Sequence, residues 1–110
     1  MRAKLLTGGG LLLALLSTPL AAQDISAGRL AARQCAGCHG QLGLAEIPNA
    51  PNLAGESSLY ITAQLKAFRD GVRVHDQMSI IAEGLSEQDI SDLAAWFAAI
   101  KVTVTAPEIE

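Results

Sequence analysis

The sequence predicts an all-α chain, and three observations predict it. Three segments place apolar residues at helical spacing, each opened by a side chain suited to cap a helix. No β-strand run lies beside the chain's cysteine pair. The longest stretch without a helical or alternating period, Gly40 to Gly55, contains Gly40, Gly43, Pro48, Pro51 and Gly55 and reads as one loop. The expected architecture is three main helices and a short helical turn.

The chain has 110 residues, room for one domain. Met1-Arg2-Ala3-Lys4 is basic, Leu5 to Leu16 is apolar around Gly8-Gly9-Gly10, and Pro19 is followed by the small pair Ala21-Ala22. This is the pattern of a secretory leader, so residues 1–22 are expected to be removed near Ala22 and residues 23–110 to form the domain. The alternative is a retained anchor, but the apolar run is short of the about 20 residues a spanning helix needs. Cleavage takes Arg2 and Lys4 from the 8 basic residues and none of the 11 acidic ones. The remaining chain is acidic, which excludes a basic nucleic-acid-binding face. It is expected in the periplasm, with no membrane attachment after cleavage.

The first helix is expected from Asp24 to about Arg33, capped by Asp24 or Ser26, with Ile25, Leu30, Ala31 and Ala32 on its apolar side. Gly28 in its interior costs about 1 kcal/mol against alanine, and either marks a close crossing by another helix or is simply tolerated. The second helix runs from about Ser58 to Asp70, with Leu59, Ile61, Leu65 and Phe68 inward and Gly71 ending it. Val72 to Gln77 is a linker carrying His75, and a helical turn follows over Ile80 to Gly84. Ser86-Glu87-Gln88-Asp89 has the form of a capping box and opens the last helix, with Ile90, Leu93, Ala94, Phe97 and Ile100 on one face and Lys101 in its last turn. The tail from Val102 contains Pro107 and two acids and is expected to fray.

The chemistry is concentrated in Cys35-Ala36-Gly37-Cys38-His39. The spacing C-x-x-C-H is that of covalent haem attachment. Two thiols add to the two vinyl groups on one edge of the porphyrin, and the histidine that follows ligates the iron. Rival uses of such residues are a thiol redox pair, which lies beside a βαβ pattern, and a structural zinc site, which needs four ligands and for which His75 is the one further donor. Only Tyr60, Phe68, Trp96 and Phe97 are aromatic, so the core of this small domain is thin without a large apolar ligand. A haem supplies that ligand, and the chain without it is expected to be largely unfolded.

A haem iron takes a second axial ligand. Met78 and His75 are the candidates, with an open position as the third option. Met/His ligation is an electron-transfer arrangement that raises the reduction potential. Met78 is the only methionine after Met1, and it lies across a helix from His39, so the chain can fold it over the opposite face. His75, beside Asp76, otherwise reads as a surface residue.

Taken together, Cys35-Ala36-Gly37-Cys38-His39-Gly40, Pro51-Asn52-Leu53-Ala54-Gly55, Tyr60 with Gln64-Leu65, Phe68, Gly71, Arg73, Met78, Leu85-Ser86 and Asp89-Ile90 resemble class I cytochrome c. The likeness is greatest to the short bacterial monohaem kind and to single halves of dihaem cytochromes, and it covers about residues 25–101. It implies one haem c bound through Cys35 and Cys38, with His39 and Met78 as axial ligands. It also implies that the Pro51 carbonyl accepts the other His39 nitrogen's hydrogen and that Gly28 crosses near Trp96 or Phe97. Glu56 stands where relatives often carry glutamine. The resemblance leaves Tyr60, Arg69, Arg73 and Trp96 as alternatives for meeting the propionates.

The expected function is a periplasmic electron carrier and not an enzyme, working as a monomer with transient redox partner proteins as donor and acceptor. The alternative is a haem c subunit of a larger oxidoreductase complex. Leu42, Leu44, Ala45 and Ile47 are expected either to rim a docking surface or to pack on the haem.

Overall fold

The computed structural model describes residues 22–109, and within them the regular structure is all helical. The expected leader falls on residues 1–22, almost wholly outside that range. The helices are α1 (Ile25–Ala31), α2 (Ala36–His39), α3 (Ser58–Arg69), α4 (Met78–Glu83) and α5 (Glu87–Ala99), with a 3-10 turn over Ala32–Cys35 joining α1 to α2. No β-strand occurs among the described residues.

Asp24 caps α1, its Oδ1 accepting from the N–H groups of Ser26 at 2.8 Å and Ala27 at 3.0 Å. The helix tightens after Ala31 instead of continuing to Arg33. Its buried side is also narrower than the periodicity predicts. Ile25 and Leu30 are exposed, while Gly28 and Ala32 are buried. The cause is the α1–α5 crossing. A Cβ on Gly28 would overlap the Asp92 carbonyl, 2.6 Å from its carbon, and would lie 2.9 Å from Trp96 Cβ. Backbones this close leave room only for small residues between them.

Asp92 fastens the same crossing. It is 6% exposed, within the apolar face of α5. Its Oδ1 accepts from the Asp24 N–H at 2.8 Å and from Gln88 Nε2 at 2.8 Å. A buried carboxylate is tolerated when its oxygens are satisfied in this way.

α3 packs on α4 and α5. Ser57 caps it, and Asp70 and Gly71 end it close to the predicted boundary. Ile61 and Phe68 are buried, but Leu59, in the first turn, is 83% exposed. Ile90 and Leu93 of α5 are the largest fully buried side chains, with Ala82, Ala94 and Phe97 around them. Lys101 lies beyond the end of α5 at Ala99 and not in its last turn, because Ile100 turns to extended backbone. Residues 102–109 are irregular and exposed.

The capping box at Ser86 forms as the sequence predicts. Ser86 Oγ accepts from the Asp89 N–H at 3.0 Å, and Asp89 Oδ2 accepts from the Ser86 N–H at 2.9 Å. Hydrogen bonds from the Ser86 hydroxyl and then its N–H hold the Asp89 carboxyl below its ordinary value. A carboxylate with a lowered folded value stabilises the fold above its unfolded pKa, near 3.9, and loses that contribution as pH falls through the lower folded value. Asp89→Asn should therefore lower stability at pH 7 by less than about 1 kcal/mol, since the site is on the surface. The difference from the parent should vanish at strongly acid pH, as read from denaturant midpoints across the acid limb.

Candidate functional site

The α2 turn ends at His39 because Gly40 follows with φ of 78°, a conformation that reverses the chain and disfavours any side chain. The loop beyond is closed on itself. The Gly43 carbonyl accepts from the Leu53 N–H at 2.7 Å and the Ala54 N–H at 3.1 Å, and the Cys38 carbonyl accepts from the Glu46 N–H at 2.9 Å. Asn52 Oδ1 accepts from the Ala45 N–H at 2.7 Å. This closed loop brings the Pro51 carbonyl to 2.8 Å from His39 Nδ1. A carbonyl only accepts, so Nδ1 carries the proton and Nε2 keeps its lone pair. His39 is 8% exposed, and Nε2 has no hydrogen-bond partner among the described residues.

His39 lines a cleft of about 640 Å³. Cys35 and Cys38 line it too, as does Met78 at the start of α4. The rest of the wall is mostly apolar: Leu53 from the loop, Ile61, Leu65 and Phe68 from α3, and Leu93 and Phe97 from α5. Phe97 therefore faces the cleft, and it is Trp96 that meets Gly28. The two cysteines form no disulfide with each other. Burial pushes the Cys35 thiol up to about 11, the reverse of the lowered value a redox-active thiol needs. Among the described residues no three His, Cys, Asp or Glu side chains gather as a zinc site would require.

The four residues raised for the propionates separate. Arg69 is 3.0 Å from Asp70 and 2.6 Å from Glu87, a carboxylate that Lys66 also meets at 2.6 Å, and it does not line the cleft. Trp96 lines a different hollow of about 850 Å³ beside α1, with Arg29 stacked 5.7 Å from its ring. That hollow contains no thiol, thioether or imidazole. Tyr60 and Arg73 do line the cleft, and Arg73 lies over the Phe68 ring at 4.5 Å and donates to Gln64 Oε1 at 2.6 Å. Leu42 and Leu44 are exposed and stand outside the cleft, whereas Ile47 lines it, so the stretch after the motif divides between surface and cleft.

The sequence pattern places Met78 at the end of a loop, with a helical turn beginning at Ile80. Instead Met78 is the first residue of α4. His75 is exposed at the rim of the same cleft, and its Nδ1 is used by the backbone of the turn before α4.

A paired thiol, an imidazole with one nitrogen free and a thioether share one apolar cleft of ligand size. These residues fit a porphyrin, and the all-α frame around them defines a covalent haem protein. Comparison with known proteins places it further. The cytochrome c family model matches residues 26–101, and the chain belongs to that family. Its cofactor is a covalently bound haem c. The chain is 40% identical over 80 residues to cytochrome c-554(548) of Halomonas halodenitrificans, a match covering 70% of this chain and 96% of that protein. It is 40% identical over 101 residues to cytochrome c4 of Pseudomonas aeruginosa, covering 92% of this chain and 50% of that one. The structure is similar to that of reduced cytochrome c4 from Pseudomonas stutzeri, with a TM-score of 0.69 at 34% identity over 76% of this chain and 48% of that one. The chain thus spans about half the length of the cytochrome c4 proteins it matches.

Proposed function

We propose that the protein is a periplasmic electron carrier and not an enzyme, formed by residues 23–110 after loss of the leader. In this reading Cys35 and Cys38 carry the thioether bonds, and His39 and Met78 are the axial ligands. The observation that carries the reading is the presence of His39 Nε2 and the Met78 thioether in the one cleft that also contains both thiols. When bound, the haem supplies a one-electron couple.

The chain's own residues set the conditions for that couple. The Pro51 carbonyl fixes the His39 tautomer and orientation and makes the imidazole a better donor. His39 and Met78 would both hold the iron, which would leave no place on it for a substrate and supports a carrier over a catalyst. The apolar walls from α3 and α5 keep water from the couple, and burial of this kind is one of the terms that tune its potential. Partners would be redox proteins that bind through small transient interfaces, and the acidic balance of the chain favours basic partner surfaces. No helix of the described residues is long and apolar enough to cross a membrane.

The ligand assignment is tested by spectra of the oxidised and reduced protein. Met78→Ala is expected to abolish the weak band of the oxidised protein near the red end and to let the reduced protein bind carbon monoxide at neutral pH. It should also lower the potential by on the order of 0.1–0.3 V, part of the ~0.8 V that axial ligands command. An unchanged spectrum in Met78→Ala would exclude the methionine.

A further inference from the structure

Three positions upstream of Met78, the His75 carbonyl accepts from the Ser79 N–H at 3.0 Å and closes the turn that leads into α4. Its imidazole Nδ1 accepts from the N–H groups of Gln77 at 3.2 Å and Met78 at 3.3 Å. In the other direction the His75 N–H donates to Ser79 Oγ at 2.9 Å. α4 itself begins after Gln77, which makes no side-chain cap bond, so it is the turn before the helix that the His75 imidazole serves, accepting from two of its N–H groups as a cap's side chain does. These bonds are closed by a returning hydroxyl, as in a capping box. The ring is steadied from the side by Phe68, edge-on at 6.4 Å between centroids, and Phe68 is itself a buried wall of the cleft.

We propose that His75 is the positioning residue for the methionine ligand, its imidazole capping the turn that carries Met78 and so holding the thioether on the iron. The inference rests on the reading of Met78 as the axial ligand. It gives a use to a histidine that otherwise reads as surface or as a rival ligand. The Met78 backbone N–H is one of the two groups the imidazole holds, so the cap acts on the ligand residue itself. Histidine is an uncommon cap, but its acceptor nitrogen in the neutral ring meets the requirement. Asparagine, a preferred cap, should replace it.

The test is a titration of imidazole into the oxidised holoprotein. Exogenous imidazole binds only molecules whose methionine has left the iron, so its apparent affinity reports that population. Loss of a cap of ordinary strength raises the population about fivefold. His75→Ala should therefore bind imidazole about fivefold more tightly than the parent, and His75→Asn should return to the parent value. His75 is exposed, and both variants lose its edge contact with Phe68 alike, so the difference between them reads the capping bonds alone. The role is overturned if His75→Ala binds imidazole no more tightly than the parent, or if His75→Asn behaves like His75→Ala. Met78→Ala separates the two claims. If it too binds imidazole no more tightly than the parent, the ligand reading fails and the positioning role fails with it. If it binds far more tightly while His75→Ala matches the parent, only the positioning role is lost.

Discussion

A Cys35→Ala, Cys38→Ala double variant is expected to carry no haem and to melt without a cooperative transition. The reason lies in how little else fills the middle of the molecule. Among the described residues only Ile90 and Leu93 are large side chains that are fully buried. Leu65, Phe68 and Phe97 each give part of their surface to the cleft. Held open and dry, a void of about 640 Å³ would cost about 15 kcal/mol at about 24 cal/mol per Å³. That is as much as a whole small domain retains. Filled with water, the same cleft leaves those apolar walls wet. On either path the helices lose the surface they share, and α3 and α4 have little reason to stay on α5. Circular dichroism and a thermal melt decide the matter. Native-like helicity with a sharp transition in the variant would contradict it.

The second large effect is expected at Gly28. Gly28→Ala gains about 1 kcal/mol of helix propensity, so a glycine that was merely tolerated would be improved by the change. The crossing predicts the opposite sign. The new methyl group would overlap the Asp92 carbonyl and lie 2.9 Å from Trp96 Cβ. The obstacle is largely backbone, which cannot turn aside as a side chain does. Overpacking of this kind costs typically 1–3 kcal/mol and at times more. Moving α1 away would also lengthen the Asp24 N–H to Asp92 bond. A net loss of up to about 2 kcal/mol is expected, and Gly28→Val should be worse. Denaturant midpoints of the haem-loaded variants measure this. A Gly28→Ala midpoint at or above the parent's would show that the helices can separate at little cost.

Much of this molecule could be read from its residues, and the parts that could not share a physical cause. The caps at Asp24 and Ser86 and the glycine after α3 were legible because each answers a local demand of the backbone. The C-x-x-C-H motif was legible because its chemistry fixes its spacing. Burial was less so. Ile25, Leu30 and Leu59 have the right period and lie outside the core, because helical spacing says which residues share a face but not whether a neighbour covers it. At α1 the neighbour comes so near that small residues line the contact. Asp92 shows the converse. Its position among Ile90, Leu93 and Ala94 was the available sign that a polar group is buried there, and its partner, the Asp24 N–H, lies far away in sequence. The start of α4 was displaced by two residues because its N-cap, Gln77, makes no side-chain cap bond and gave no signal of a helix beginning.

The propionate question illustrates what only three dimensions could narrow. Arg69 and Arg73 are four residues apart, and nothing local distinguishes them. The fold turns Arg69 toward Glu87 and Arg73 onto Phe68 at the cleft. One cation is thereby engaged by carboxylates at the surface, and the other is left beside the cofactor's place.

The claim under all of this is that one porphyrin is bonded to the chain through sulfur. The intact mass of the exported protein, taken after denaturation and acid-solvent extraction, tests it most directly. The account predicts the polypeptide plus one haem, which extraction cannot remove. A mass equal to the polypeptide alone would contradict it.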